Sequence, residues 1–163
     1  LSFDERAVRS VLENLSFEGR GEVLRYEGKT IFFDVAHNPQ KMQALCSMVR
    51  ALWSSVEPCV VVAFGHDAQS EPMLRILRST TNELVLTDFV VGEGEYRYKF
   101  KDVDFLEEIA KKEGFTLMQG AVTADDAWGK ALASKQEVIV VTGSLHFVAV
   151  MKASLLADKK NTM

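Results

Sequence analysis

The sequence predicts an α/β fold in which a mostly parallel β-sheet carries helices on both faces and an antiparallel hairpin at its amino-terminal edge. Three observations carry that prediction. Cys59-Val60-Val61-Val62-Ala63-Phe64 and Val138-Ile139-Val140-Val141 are continuous apolar runs, which suit strands covered on both faces rather than half-solvated ones. Such runs alternate along the chain with segments of helical period, the pattern of parallel strands joined by crossovers. Glu27-Gly28-Lys29 joins two strand-type runs through a short Gly-containing connection, which suits a hairpin.

In chain order, residues 1–15 read as a helix with Val8, Val11, Leu12 and Leu15 on one face, broken by Phe17-Glu18-Gly19-Arg20-Gly21. Strands over 22–26 and 30–34 form the hairpin. Pro39 is suited to open a helix over 39–54, with Met42, Leu45, Met48, Val49 and Leu52 at helical spacing. A strand over 59–64 ends at Gly65-His66-Asp67. Then follow a helix over 71–80, a strand over 83–89, a Gly/Tyr/Arg-containing loop over 92–101 suited to a mobile excursion, and a helix over 103–113. A short strand over 115–118, a helix over 123–134 and a strand over 137–141 ending in Thr142-Gly143-Ser144 come next. A final helix spans 145–157, and 159–163 is a polar tail expected to fray. No linker divides the chain, so residues 1–163 read as a single Rossmann-like domain.

Composition narrows the function. The chain has 163 residues, 47% of them hydrophobic and 26% charged, which is the make-up of a soluble globular domain. Its net charge of −4 and its lack of a Lys/Arg-rich stripe argue against DNA or RNA as a partner. Cys46 and Cys59 have no zinc-type pairing and suit small buried thiols in a reducing, cytoplasmic compartment. No apolar stretch approaches the roughly 20 residues of a membrane span, so no membrane association is expected. The first residue is Leu1 rather than Met, which suggests a piece of a longer polypeptide or, alternatively, a processed small protein.

The most informative stretch is Asp34-Val35-Ala36-His37-Asn38-Pro39-Gln40-Lys41, which sets an acid, an imidazole and an amide where a buried strand meets a helix. Ligands of open α/β sheets bind at such points. Asn38 precedes a proline, so it is held out of helical geometry and can cap the helix, whose free amides favour an anion. The plainer alternative makes Asp34 and Asn38 turn and cap residues and His37 a packing residue. All three histidines, His37, His66 and His146, fall just after strands. If those strands are neighbours, Asp34, His37, Asn38, His66, Asp67, Ser144 and His146 converge on one crevice. Arg20, bracketed by Gly19 and Gly21, is the best candidate for a phosphate or carboxylate clamp; the alternative is a solvated loop arginine. The chain lacks a Gly-x-x-x-x-Gly-Lys phosphate loop, a dinucleotide fingerprint and a Gly-x-Ser-x-Gly elbow. The histidines have no helical i, i+4 pairing for a metal site. Trp128, Phe147, Phe32 and Phe33 read as core.

In order along the chain, Gly19-Arg20, a hairpin, Asp34-Val35-Ala36-His37-Asn38-Pro39 and Val140-Val141-Thr142-Gly143-Ser144-Leu145-His146-Phe147-Val148, with Ala127-Trp128 before the last, resemble the carboxy-terminal domain of folylpolyglutamate synthase/dihydrofolate synthase, in the Mur ligase superfamily. The resemblance implies the lid of an ATP-dependent amide ligase that activates a folate or dihydropteroate carboxylate as an acyl phosphate, which the amino group of glutamate attacks. It implies a monomer closing over ATP, with the phosphate loop and the Mg2+ ligands in a central domain absent from this chain, which alone is then inactive. By position, Arg20 would contact the nucleotide phosphates or ribose, Asp34 the ribose, and His37 with Asn38 the adjoining nucleotide edge. Ser144 and His146 match the segment lining the glutamate site. The other reading is a stand-alone nucleotide-binding or regulatory module that uses the same crevice without chemistry. The chain departs from the family pattern at Glu18, where a proline usually stands; in segment 63–69, which is short and lacks the usual lysine after Asp67; and in the loop around Tyr96 to Phe100, which has no family counterpart.

Overall fold

Glu27 and Gly28, with φ of 47° and 78°, place both turn residues in the left-handed region that a type I′ hairpin requires. The computed structural model describes residues 19–88 and 99–161, with side chains through Ala157. The helix expected over 1–15 and most of the loop expected over 92–101 lie outside the described residues. In chain order the elements are β1 (Arg20–Tyr26), β2 (Lys29–Asp34), α1 (Pro39–Leu52), β3 (Cys59–Val62), α2 (Ser70–Leu77), β4 (Glu83–Thr87), α3 (Val103–Lys112), β5 (Leu117–Ala121), α4 (Ala124–Ala133), β6 (Val138–Thr142) and α5 (Leu145–Asn161).

The sheet order is β1-β2-β6-β3-β4-β5. β1 runs antiparallel to β2, and the other pairings are parallel. This is the α/β fold with a hairpin edge that the apolar runs and their alternation with helices imply. Because strand side chains alternate between faces, β3 sends Val60 and Val62 into one apolar layer and Cys59 and Val61 into the other. The first layer holds Met42 of α1, Leu74 of α2 and Leu106 of α3. The second holds Trp128 of α4 and Phe147 of α5.

Phe32 packs edge-on against Trp53 at 5.4 Å, while Phe33, its neighbour in the chain, meets Trp128 at 6.1 Å on the opposite face. The Trp128 indole donates to the Met151 carbonyl at 3.0 Å, satisfying the buried nitrogen and tying α4 to α5. Cys46 and Cys59 are buried free thiols, and burial pushes Cys59 up to about 12 with the Glu83 charge adding to the effect.

The topology creates the recesses. β2 and β3 lead into α1 and α2 on one face of the sheet, whereas β6, inserted between them, leads into α5 on the other. Neighbouring chains therefore part company on both sides of β6 at the carboxyl ends of the strands, where ligands of such sheets bind.

Several boundaries differ from the sequence expectation: β1 starts at Arg20 rather than at 22, β3 ends at Val62 rather than at 64, α2 ends at Leu77 rather than at 80, and β5 and α5 are displaced as well. β5 starts at Leu117, later than the expected 115–118, because Phe115 belongs to the stop of α3. Gly114 there takes φ of 88°, the Phe115 amide donates to Ala110 O at 3.0 Å, and the ring is buried beneath the Arg78 guanidinium. The polar Gln119-Gly120 pair hides the strand because β5 is a sheet edge. At the carboxyl end, α5 continues to Asn161, so the backbone over 159–161, expected to fray, is helical.

Candidate functional site

The turn after β2 is built by its own polar groups. Asp34 Oδ1 accepts the Ala36 amide at 2.9 Å, and Asp34 Oδ2 accepts the Gly21 amide at 3.2 Å. Asn38 is extended at φ −146°, and its Oδ1 accepts the Lys41 amide at 2.9 Å, so it caps α1 with Pro39 in the first turn. His37 Nδ1 donates to Val35 O at 2.8 Å, which leaves Nε2 to accept from the Lys41 ammonium at 3.1 Å. Burial raises the Asp34 pKa, and the amides of Ala36 and Gly21 and the charges of Arg20 and Lys41 oppose that rise.

Arg20 stands at the start of β1, opposite Asp34 in the hairpin register. Gly19 and Gly21 on either side have φ of 68° and 65°, and the register slips between Arg20 and Glu22, so Arg20 sits in a bulge only glycines shape without strain.

The ends of β2, β6 and β3 are stitched together at Gly143. Its amide donates to Ala36 O at 3.1 Å, and Thr142 Oγ1 donates to the same carbonyl at 3.4 Å. With φ of 108° and no side chain, Gly143 presses against Ala63; a Cβ there would collide with the Ala63 carbonyl oxygen and lie 2.8 Å from Val62 Cγ2. Ser144 is buried at the amino end of α5, where its carbonyl accepts the Val148 amide at 3.0 Å, and His146 is exposed two residues on.

The structure resolves the single crevice expected from the sequence into two neighbouring recesses. The smaller, about 200 Å³, takes Arg20, Asp34 and Lys41 with Met48 of α1. The larger, about 860 Å³, brings together His37, His66, Asp67, Ser144 and His146. Asp34 thus leaves the histidine cluster for the arginine, because one of its oxygens is turned back onto the hairpin and the other onto the Ala36 amide, and Asn38 lines neither recess because its side chain faces α1.

Sequence reasoning missed one residue of the larger recess, Lys99. It arrives from the chain preceding α3: the His66 amide donates to Lys99 O at 3.2 Å, Gly65 bridges Phe100, and the Lys101 amide donates to Phe64 O at 2.8 Å. The polar-apolar-polar order of Lys99-Phe100-Lys101 is the one local signal of that short pairing. Among the described residues, Lys99, three imidazoles and the amino end of α5 face one carboxylate, Asp67, which favours an anion in the larger recess. Another cavity, about 580 Å³ and lined by Arg50, Trp53, Arg78 and Thr80, lies at the amino ends of the strands, where this topology places no helix amino terminus.

Residues 19–145 match the family described as Mur ligase, glutamate ligase domain. The chain belongs to that family. It is 26% identical over 91% of its length to the dihydrofolate synthase/folylpolyglutamate synthase of Escherichia coli K12, and spans 33% of that protein. A folylpolyglutamate synthase of Thermotoga maritima superposes with a TM-score of 0.73 at 26% identity, covering 97% of this chain and 35% of that one. Folylpolyglutamate synthase of Mycobacterium tuberculosis, solved with ADP and AMPPCP, gives 0.72 at 25% identity over 94% of this chain and 36% of that one. The chain therefore spans about a third of the length of these relatives, and the part matched is consistent with their carboxy-terminal domain.

Proposed function

We propose that this chain is the carboxy-terminal lid of an ATP-dependent ligase that adds glutamate to a folate or dihydropteroate carboxylate. The observation that carries the reading is the pairing of recesses: Arg20 and Asp34 line one, and Ser144 and His146 line the next, in a domain of the glutamate ligase family.

In the proposed reaction the substrate carboxylate attacks the terminal phosphorus of ATP, releasing ADP and leaving an acyl phosphate. The glutamate amino group then displaces inorganic phosphate and loses a proton. Arg20 holds developing phosphate charge, and Asp34, whose oxygens each keep a second lone pair, accepts from the ribose; His37 lines the larger recess and Asn38 caps α1, so the nucleotide role that the resemblance implied for them is not carried over. Ser144, His146 and the amino end of α5 receive a glutamate carboxylate. Among the described residues no group of three or more His, Cys, Asp or Glu is arranged to hold a metal ion. These residues do not fit Mg2+, and no step is assigned through it; its ligands belong to the central domain. The lid works as a monomer in the cytoplasm, and among the described residues no helix is long and apolar enough to cross a membrane.

The test uses the polypeptide that joins this domain to a phosphate-loop domain. Arg20→Ala should cost about 2 kcal/mol or more in transition-state stabilisation with the fold intact. Ser144→Ala and His146→Ala should raise the Michaelis constant for glutamate more than that for ATP. Wild-type rates for Arg20→Ala at limiting ATP would end the nucleotide assignment. Calorimetry of this chain alone with magnesium-ATP should show at best roughly millimolar affinity, since a lid supplies few contacts. Micromolar binding would favour a stand-alone nucleotide module instead.

A further inference from the structure

We propose that Glu22 and Lys152 form a brace that positions Arg20, linking the bulge of the smaller recess to the helix that opens onto the larger one. Arg20 lies between two left-handed glycines, the most permissive backbone a chain can have. The course of that backbone sets where the Arg20 side chain can reach, so the guanidinium is positioned by what fixes the bulge.

Three contacts fix it. Gly21 is held by Asp34, as described above. Glu22 reaches back over the bulge, and its Oε2 accepts the Gly19 amide at 3.0 Å. The Lys152 ammonium then sits 3.0 Å from both Glu22 oxygens. With 17% of the Lys152 and 24% of the Glu22 side chain exposed, the pair is shielded from the solvent that weakens an ordinary surface ion pair. Although burial alone would raise it, the Glu22 pKa is lowered, because the Gly19 amide, the bond to Lys152 and the Lys152 charge together outweigh burial. A carboxylate, not a carboxylic acid, therefore holds the bulge at neutral pH.

The lysine belongs to α5, the helix whose first turns carry Ser144 and His146 into the larger recess. Gly19 also packs against that helix, since a Cβ there would lie 3.2 Å from Val148 Cγ1 and 3.3 Å from Val35 Cγ1. One rigid rod thus touches the acceptor side of the site at its amino end and the arginine bulge two turns later. Glu22 and Lys152 line neither recess and act through Arg20, so both are positioning residues.

The proposal rests on the reading that Arg20 contacts the nucleotide, and the variants separate the two. In the joined polypeptide, Arg20→Ala, Glu22→Gln, Lys152→Met, Lys152→Arg and the double variant Arg20→Ala/Lys152→Met are compared at matched folded fraction. Lys152→Met and Glu22→Gln should each raise KM for ATP about fivefold to tenfold while the glutamate constant stays within about a factor of two. Lys152→Arg should restore KM for ATP, and the double variant should be no worse than Arg20→Ala alone, because both changes remove one interaction. If Arg20→Ala raises KM for ATP while Lys152→Met leaves it unchanged, or if the two effects multiply in the double variant, the brace is overturned and the nucleotide reading stands. An Arg20→Ala protein with unaltered KM for ATP overturns both. Amide NMR of this chain gives a readout independent of turnover: the Gly19 and Gly21 resonances should move and broaden in Lys152→Met. Unmoved resonances would overturn the brace.

Discussion

The two recesses lie on the same edge of one sheet and are built in opposite ways. In the smaller one the polar atoms already hold one another: both Asp34 oxygens accept backbone amides, and the flanking glycine bulge is pinned to α5. In the larger one His37, His66, Asp67, Lys99 and His146 are exposed side chains around a space about four times as large. The first is closed by carboxylate contacts to backbone amides, and the second is lined mostly by solvent-facing side chains. Binding to the first should lose little conformational freedom, whereas selectivity in the second rests on charge and on the ligand's own groups.

The shared wall is the place to break the comparison most severely. Gly143→Ala forces a left-handed alanine against the Ala63 carbonyl, so stability measured by urea unfolding should fall by roughly 3 kcal/mol or more, and both recesses should deform together. Next in size, Arg20→Ala should cost about 2 kcal/mol in kcat/KM at limiting ATP with little change in the urea midpoint, as expected of an exposed edge-strand cation outside the core. Asn38→Ala should lower stability by about 1 kcal/mol through the lost cap of α1. If it also altered the glutamate constant, the distinction between a framework residue and a recess residue at this turn would disappear.

Acid titration sharpens the contrast, because the two carboxylates of the arginine bulge shift in opposite directions. Asp34 has a raised pKa when folded, so between its ordinary 3.8 and that higher value the native state binds more protons, and its contribution to stability falls as pH rises. Glu22 has a lowered one, so its contribution is fully present above its ordinary 4.5 and is lost as pH falls through the lower value. Urea midpoints taken from about pH 3 to 7 should therefore show Glu22→Gln most destabilising at the neutral end and nearly harmless at the acid end. Asp34→Asn should narrow its gap to the wild type as pH rises within the window set by the raised pKa. The smallest effect concerns Cys59: at neutral pH a thiol-directed reagent should leave it unmodified in the native chain and react only on unfolding.

Much of this was readable locally because short-range chemistry decides it. Glu27-Gly28 names its own turn, Asn38-Pro39 its own helix start, and the valine runs of β3 and β6 announce strands covered on both faces. What escaped depends on partners distant in sequence. Nothing near residue 138 says that β6 slides between β2 and β3, yet that insertion opens the recesses. Nor does the sequence around Asp34 show that its oxygens turn to the Gly21 and Ala36 amides rather than toward the histidines. Lys99 came in by pairing with the end of β3, and β5 was misplaced because an edge strand need not be apolar.

The placement of β6 also governs how the molecule comes into being. During synthesis, β2 and β3 emerge early, and each must wait, with an apolar edge unpaired, for a strand made after most of the domain. Contacts of that span slow folding, and open edges in the interval invite pairing with other chains. A nascent chain cut short before residue 137 would lack Gly143, Ser144 and His146 of the larger recess, and the helix whose Lys152 pins the arginine bulge of the smaller one. The same late strand carries Thr142 and Gly143 and leads straight into Ser144, so the larger recess is completed in the step that closes the sheet.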